Sequence, residues 1–551
     1  MDKKFDQKKK TFEKKPFDGK KGEGKKFEKK PFDKKPSNKK EWAEKKNGGK
    51  PFEKKSFDKK SQEGKSFEKS SFEKKAFDKK GFEKKSFDKK PFEKKNEGAP
   101  KAAYKGPDAR RVALNALQDV NRMDAYASLA LDKRLREARL SVDDRRLATS
   151  IFYAAVENKL NIEYVLSAFI SVKPDPVIED ILHIACAQIL FMDKIPPHAT
   201  VDEAVKQARA LGKDEATGFV NGVLRNLLRA KEGEGIKYPD ENEDRVKYLS
   251  VRYSVPEVIL HRLVNAYGIE TAEAIVSFKP SERTETIRPN LMKRDCQQFE
   301  EYLNARGWTW KKGVVPGAYL ISHAGNLAGD PDFYEGEFSI QGESSMLSAV
   351  AVNAKPGMTV IDVCAAPGGK SALMCEMMRG TGRVHAWDVH QHRVELIKAM
   401  GKRLKLDNLR AAVRDASVTK EEFHLSADAV LIDAPCSGVG VMTDKPDLKY
   451  RVTDESIESL IETQKKILKA SSLYVKRGGV LVYSTCSILP EENEKQVEAF
   501  LFDHPEFKLD TDASWVPDAL KDRFMGGMLS LLPNRDGVEG FFIARMRRVN
   551  I

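Results

Sequence analysis

Apolar residues recur along the chain with two different periods, and the change of period divides it. Between about Pro107 and Ala230 the spacing is helical: Val220, Val223, Leu224, Leu227 and Leu228 follow the i, i+3, i+4, i+7, i+8 pattern of one buried face, which leaves Arg225 and Arg229 on the solvent side. Leu147, Ile151, Ala154 and Asn158 suggest an earlier helix, and the run from Asp180 to Phe191 predicts another, closed before the breaker Pro196-Pro197. Residues 106–232 are therefore expected to be all-helical. The polar, Gly-rich stretch from Gly233 to Asp244 reads as a linker. Residues 245–345 combine a helical segment around Pro256 to Phe278 with strand-like runs such as GVVPGAYLIS, which predicts a small α+β module. From Pro356 the runs TVIDVCA, RVHAWDV, LRAAVRDA, AVLIDAP, GGVLVYSTC and GFFIARM are separated mostly by helix-length segments. Such alternation implies a mainly parallel α/β sheet over 346–551 with helices on both faces, and ligands bound beyond the carboxyl ends of its strands.

Residues 1–105 follow neither period. They repeat a short unit, PFDKK at 31, PFEKK at 51, SFDKK at 56, SFEKK at 71, so that Phe returns every five residues over much of the stretch. A period of five places side chains on no single face of a helix or strand. The stretch also contains no Leu, Ile, Val or Cys, and its 38 Lys against 19 acids give +19, whereas the rest of the 551-residue chain carries −5 of the total +14. Such a composition buries too little apolar surface to offset the entropy of ordering, so a disordered tail is expected. Two roles fit it: an RNA-binding arm, with Lys on phosphates and Phe stacking on bases, or a solvated spacer whose charges largely cancel. The first predicts that deleting residues 1–105 weakens RNA binding and flattens its salt dependence while folding stays intact. Equal slopes of log affinity against log salt for both proteins would leave only the spacer.

No run approaches the roughly 18 apolar residues of a membrane span, and MDKKFDQKKK lacks the apolar segment of a secretory signal, so a cytoplasmic protein without membrane contact is expected. Six scattered cysteines without C-x-x-C spacing, and the lack of H-E-x-x-H, argue against a disulfide framework and a metal site.

Candidate chemistry gathers at the predicted strand ends. The first leads into Asp362-Val-Cys364-Ala365-Ala366-Pro367-Gly368-Gly369-Lys370-Ser371, whose glycines suit close approach of a ligand to a helix N-terminus. Gly369-Lys370-Ser371 imitates the end of a P-loop, but that motif requires glycine where Cys364 stands. Asp388 ends the second run, suited to ribose hydroxyls, and Asp415 the third, although an Asp at a strand end is as often a turn former. Together these describe a pocket for an adenosine-bearing cofactor, NAD or S-adenosylmethionine. The next two runs end in Asp433-Ala-Pro435-Cys436-Ser437 and Ser484-Thr485-Cys486-Ser487, which puts two thiols at the cofactor end of neighbouring strands. Hydride transfer has no use for them. Methylation of pyrimidine carbon 5 does, because a thiolate added to C6 turns C5 into an enamine carbon able to attack a sulfonium methyl, with a carboxyl such as Asp433 stabilising charge at N3.

At these residues the chain resembles the Sun/Fmu-type RNA cytosine-C5 methyltransferases, from about Pro107 to Ile551. The resemblance implies a Rossmann-like S-adenosylmethionine-dependent methyltransferase domain. Cys364 to Lys370 would form the cofactor loop, with Asp388, Asp415 and Asp433 at the other cofactor positions. It further implies that Cys486 is the nucleophile, that Cys436 promotes product release, and that Lys370 neutralises charge near the site. PHATVDEAVKQARALG and GFVNGVLRNLLR are similar to the NusB-type RNA-binding domain carried at the N-terminus of one subgroup. Thr286-Ile-Arg288-Pro289-Asn290 resembles the segment preceding the catalytic domain, where R-V-N is usual; Pro replaces Val here, in a module expected to recognise RNA. The expected reaction is on a cytosine of 16S ribosomal RNA, by a monomer, with transfer RNA as the alternative substrate and a non-catalytic RNA-binding assembly factor as the alternative role.

Overall fold

The computed structural model describes residues 108–549 apart from 234, 283 and 324, so the tail read at 1–105 lies outside the described residues. Seven helices come first: α1 (Ala109–Met123), α2 (Ala127–Glu137), α3 (Val142–Glu157), α4 (Lys159–Ser167), α5 (Pro176–Phe191), α6 (Pro197–Ala210) and α7 (Thr217–Glu232). Asp108, Ser141 and Asp175 cap α1, α3 and α5 by accepting from the backbone N–H of Arg111, Asp144 and Val177, donors that no carbonyl within the helix reaches. Helix α5 is apolar nearly all round and sits at the centre, packing Ile181, Leu182, Ala185 and Cys186 with Leu114, Phe152 and Leu224. On α7 the expected face is the buried one, with Leu228 partly covered and Arg225 and Arg229 exposed. On α3 the buried face is turned slightly, to Ala148, Ile151, Phe152, Ala155 and Val156. Pro196-Pro197 does not stop a helix: α5 ends earlier, at Phe191, and Pro197 starts α6, where its missing N–H costs nothing.

Beyond the linker lie α8 (Arg245–Tyr253), α9 (Glu257–Tyr267) and α10 (Ile269–Ser277). The single helix expected around 256–278 is two, because Gly268 turns the chain at φ 80°. Leu249, Ile259, Leu260 and Leu263 of these helices share a core with Val439, Ile457, Ile488 and Leu489 of the C-terminal region. The strands that follow, β1 (Thr284–Pro289), β2 (Thr309–Lys312), β3 (Tyr319–Ser322) and β4 (Phe338–Ile340), form an antiparallel sheet in the order β2-β3-β1-β4, joined by α11 (Cys296–Ala305) and α12 (Pro331–Tyr334). Its core is separate: Ile287, Phe299, Leu303, Tyr319, Ile321 and Phe338. Only the last four residues of GVVPGAYLIS are strand, since Pro316-Gly317 makes a turn closed by Ala318 N–H donating to the Val315 carbonyl.

The C-terminal region contains α13 (Glu343–Val352), β5 (Thr359–Asp362), α14 (Gly369–Met377), β6 (Arg383–Asp388), α15 (Gln391–Leu404), β7 (Leu409–Val413), β8 (Ala427–Asp433), α16 (Asp454–Ser472), β9 (Val475–Thr485), α17 (Glu494–Asp503), β10 (Phe507–Leu509), β11 (Phe524–Met525), β12 (Met528–Leu531), α18 (Pro533–Asp536) and β13 (Phe541–Arg548). The sheet order is β11-β12-β13-β9-β8-β5-β6-β7, with β10 on β13. Strands β7, β6, β5, β8 and β9 are parallel, whereas β13 runs antiparallel against both β9 and β12. Residues alternate between the two covered faces: Ala429 and Leu431 of β8 pack toward α13 and α14, Val430 and Ile432 toward α16 and α17. β5 and β8 are neighbours although β6 and β7 intervene in the chain, and that reversal opens a crevice at their carboxyl ends.

The small sheet is bolted to α14 through a buried charge pair. Arg288 donates to Glu376 Oε2 at 2.6 Å and to Gln341 Oε1 at 2.7 Å, and both ionic side chains are essentially inaccessible. Pro289 ends β1 opposite Phe338, and the next N–H, that of Asn290, donates to the Glu337 carbonyl, so the ladder continues past the missing donor. Arg288→Met leaves the Glu376 carboxylate buried without its counter-charge and is expected to lower stability by about 3–5 kcal/mol. Chemical denaturation measures it, and a loss under about 1 kcal/mol would show that the charge pair does not hold this junction.

Candidate active site

The crevice between β5 and β8 is bounded by the loop Cys364 to Lys370. Two hydrogen bonds pin it across the sheet, Val363 N–H to the Leu431 carbonyl at 3.1 Å and Ala365 N–H to the Trp387 carbonyl at 2.7 Å. Gly368 has φ 113°, and a Cβ there would stand 3.3 Å from Ile397 Cα, so the close approach of α15 requires glycine. Gly369 then opens α14, with its free N–H groups at the crevice.

Carboxylates from three strands meet behind this loop. Asp362 is fully buried; Ser371 Oγ donates to its Oδ2 at 2.6 Å, and Oδ1 has no protein partner. Burial pushes this carboxyl up to about 7, with Asp433 adding and Ser371 and Lys370 opposing. Asp388, at the end of β6, accepts from His390 N–H at 3.0 Å and lies 3.3 Å from Arg393. Burial, then Asp362, Asp433 and Asp388, hold the Cys364 thiol well above its ordinary range, as expected for sulfur surrounded by acids. Asp415 stands apart: it is exposed beyond β7, and its Oδ1 accepts from Ser417 N–H at 2.9 Å and Oγ at 2.7 Å, the local turn such a residue forms.

The thiols converge because their strands are in register. Asp433 of β8 lies opposite Ser484 of β9, and Ala434 N–H donates to the Ser484 carbonyl at 2.8 Å, so the two chains leave the sheet together. Cys436 Sγ and Cys486 Sγ end 3.3 Å apart. Lys370 Nζ pairs with Asp433 Oδ2 at 2.9 Å, and Ser484 Oγ donates to Oδ1 at 3.0 Å. Burial alone would lower the lysine; the Asp433 charge and hydrogen bond outweigh it and keep the ammonium above its ordinary range. Between the sulfurs the sharing is unequal. The hydrogen bond shared with Cys436 lowers Cys486 below the usual thiol range, assisted by Lys445 and Lys370 against burial and Asp433. Cys436 is correspondingly raised, first by that hydrogen bond and then by burial.

Three supports were not apparent from the sequence. The buried Glu492 accepts from Ser437 N–H at 2.9 Å, from Ser437 Oγ at 2.5 Å and from Gln464 Nε2 at 3.0 Å. Asn493 Nδ2 donates to the Ser487 carbonyl at 2.9 Å. Gly440 N–H donates to the Cys486 carbonyl, and Gly540 N–H to the Gly440 carbonyl, each at 3.0 Å; a Cβ on Gly440 would meet Gly540 O at 2.2 Å. The only sequence signal was Pro490-Glu491-Glu492-Asn493, beginning four residues after Cys486, and acids in such a loop are by default solvent-exposed.

A Rossmann-like sheet with this loop, these acids and a thiol pair beside its switch point defines an S-adenosylmethionine-dependent methyltransferase. Residues 349–547 match the family model described as 16S rRNA methyltransferase RsmB/F, and residues 107–229 match the NusB family. The chain is 38% identical over 449 residues, 81% of this chain and 99% of the other, to the "Probable ribosomal RNA small subunit methyltransferase B" of Bacillus subtilis (strain 168). It is 31% identical to the protein of that name from Synechocystis sp., covering 80% and 99%. The crystal structure of PH0851 superposes with a TM-score of 0.68 at 26% identity, over 80% of this chain and 98% of that one. The chain belongs to the RsmB/F family of ribosomal RNA small subunit methyltransferases.

Proposed function

We propose that the protein methylates C5 of a cytosine in 16S ribosomal RNA through a covalent bond between Cys486 and C6. The observation that carries this reading is the 3.3 Å contact of the two sulfurs beside the Lys370–Asp433 pair. The names of the relatives supply the RNA class. When bound, S-adenosylmethionine supplies the activated methyl group. Cys364, Ala365, Ala366, Pro367, Gly368, Gly369 and Lys370 would hold it together with Asp388, Asp415 and Asp433. The unpartnered Asp362 Oδ1 and the acids around Cys364 suit a ligand that carries hydroxyl donors and a cationic sulfur.

The target base leaves its stack so that C6 reaches the thiolate. Cys486 sulfur bonds to C6 as the electron pair moves toward the C5 and N3 side; N3 takes up a proton from solvent, the Asp433 carboxylate accepts the hydrogen bond of the resulting N3–H, and Lys370 offsets the carboxylate's charge. Once Cys486 is bound to carbon, Cys436 no longer faces a neighbouring negative sulfur. Once C5 also carries the methyl group, Cys436, whose own proton passes to solvent, accepts the C5 proton, and the C5–H electron pair re-forms the C5–C6 double bond as the C6–S bond breaks to release Cys486 as thiolate. Bisulfite sequencing of 16S and transfer RNA from cells with and without the protein tests the reading. Loss of a 5-methylcytosine from the 16S pool is expected, and loss from transfer RNA alone would transfer the assignment to that substrate.

A further inference from the structure

The two sulfurs meet across a framework that leaves them little freedom to part. Each cysteine is followed by a serine, and the two serines are bonded to each other, Ser437 Oγ to Ser487 Oγ at 3.1 Å. Glu492 accepts from both the N–H and the hydroxyl of Ser437, and Asn493 Nδ2 donates to the Ser487 carbonyl. Ahead of the cysteines, Ala434 N–H is bonded to the Ser484 carbonyl. The backbone on both sides of the sulfurs is therefore tied across the two chains, and Cys436 Sγ stands 3.3 Å from Cys486 Sγ as a result. A sulfur–sulfur bond is about 2.05 Å long, so each sulfur needs to move by only about 0.6 Å to form one, within reach of side-chain rotation. Both residues are partly accessible, whereas Cys186 and Cys375 are buried.

We propose that this pair is a modification site for hydroperoxides, which convert it to an internal disulfide and hold the RNA-free enzyme in a reversible inactive form. Cys486 is the point of attack. The hydrogen bond with Cys436 lowers its thiol, while burial pushes Cys186 and Cys375 up, and burial with the surrounding acids raises Cys364. The Cys486 thiolate sulfur bonds to one peroxide oxygen as the O–O bond breaks, which leaves a sulfenic acid and a hydroxide that takes a proton from solvent to become water. Cys436 sulfur then bonds to Cys486 sulfur, and the thiol proton leaves with the sulfenic hydroxyl as a second water. The two thiols lose two electrons and the peroxide gains them. Proximity decides the product: a lone sulfenic acid goes on to the irreversible sulfinic acid, whereas a thiol at contact distance traps it first as a disulfide that a dithiol reopens. Because one event removes both sulfurs from methyl transfer, the loss of activity rests on the reading of Cys486 as the nucleophile; formation of the disulfide does not.

The test is peptide mass spectrometry on the reduced full-length protein, without RNA, after exposure to hydrogen peroxide at pH 7, with methyl transfer to RNA measured on the same samples. The expected product joins the Cys436 and Cys486 peptides within one chain and is two hydrogens lighter than the reduced pair, with Cys296, exposed at the start of α11, still unlinked. Methyl transfer is expected to fall by at least about tenfold and to return with dithiothreitol. In Cys436→Ala, its fold checked by circular dichroism, the same treatment is expected to carry Cys486 to the sulfinic acid, a mass that dithiothreitol does not reverse. Sulfinic acid on Cys486 of the unaltered protein as readily as in the variant, a link to any other cysteine, or a link between two chains on non-reducing electrophoresis overturns the proposal. An internal Cys436–Cys486 disulfide with methyl transfer unchanged would uphold the modification site and refute the nucleophile reading; Cys486-dependent methyl transfer with no disulfide would refute only the modification site.

Discussion

Cys486→Ala is expected to reduce methyl transfer to 16S RNA by at least about 10⁴-fold while leaving the fold intact. Among the described residues nothing else near the β9 end offers an equal nucleophile: the hydrogen bond with Cys486 and burial raise the Cys436 thiol above its usual range, and Ser487 is engaged with Ser437 at 3.1 Å. The contact that matters structurally at position 486 is its carbonyl, which receives Gly440 N–H and is untouched by the substitution. Incorporation of labelled methyl into RNA measures the loss. A residual rate above about one hundredth of wild type would remove Cys486 from the nucleophile's role.

The reciprocal substitution should fail at a later stage. Cys436→Ala keeps the attacking sulfur but removes the group assigned to the C5 proton, so bond formation to C6 proceeds and elimination stalls. A protein–RNA species stable to denaturing electrophoresis is expected to accumulate, with turnover reduced by about 10²–10⁴-fold, the usual worth of a positioned base. Deleting Cys436 also removes the hydrogen bond that lowers Cys486, so the adduct should form faster at pH 9 than at pH 7. Normal turnover without an adduct would place the release function elsewhere.

A third expectation concerns pH and stability. Lys449 is buried, and burial, with Lys279 adding and Glu157 opposing, pushes its ammonium down to about 7. Unfolded, it would keep its proton to about pH 10.4. Between these values the unfolded chain binds the extra proton, so this residue's contribution makes the protein more stable as pH rises from 7 toward 10, by up to about 1.4 kcal/mol per pH unit. Lys449→Met should remove that rise; identical pH dependence of urea midpoints in the two proteins would mean the lysine stays charged in the fold.

What could be read in advance follows from how each feature is encoded. The α7 face was legible because an amphipathic helix writes its burial in consecutive residues, and β8 and β9 because strands covered on both faces appear as unbroken apolar runs. The short strands β10, β11 and β12 were not, since two to four residues carry too little pattern and their neighbours supply the pairing. The two cysteines were visible as residues, but their contact depends on Asp433 lying opposite Ser484, a register no local pattern states. Glu492 and the Arg288–Glu376 pair were hidden for a related reason: an acid's burial is decided by partners far along the chain. Asp415 shows the opposite case, a strand-end acid whose turn-forming alternative is plainly present alongside the cofactor assignment.

The strand that braces Cys486 is also made late. β13 aligns Phe542 with Thr485 and Ile543 with Ser484, and Gly540 just before it closes on Gly440. During synthesis the helical domain and the five parallel strands emerge first, and until β13 follows β9 has an open edge and the loop carrying Cys486 lacks this brace. Truncation before Gly540 is therefore expected to cost the enzyme its activity together with the inner strand of its sheet.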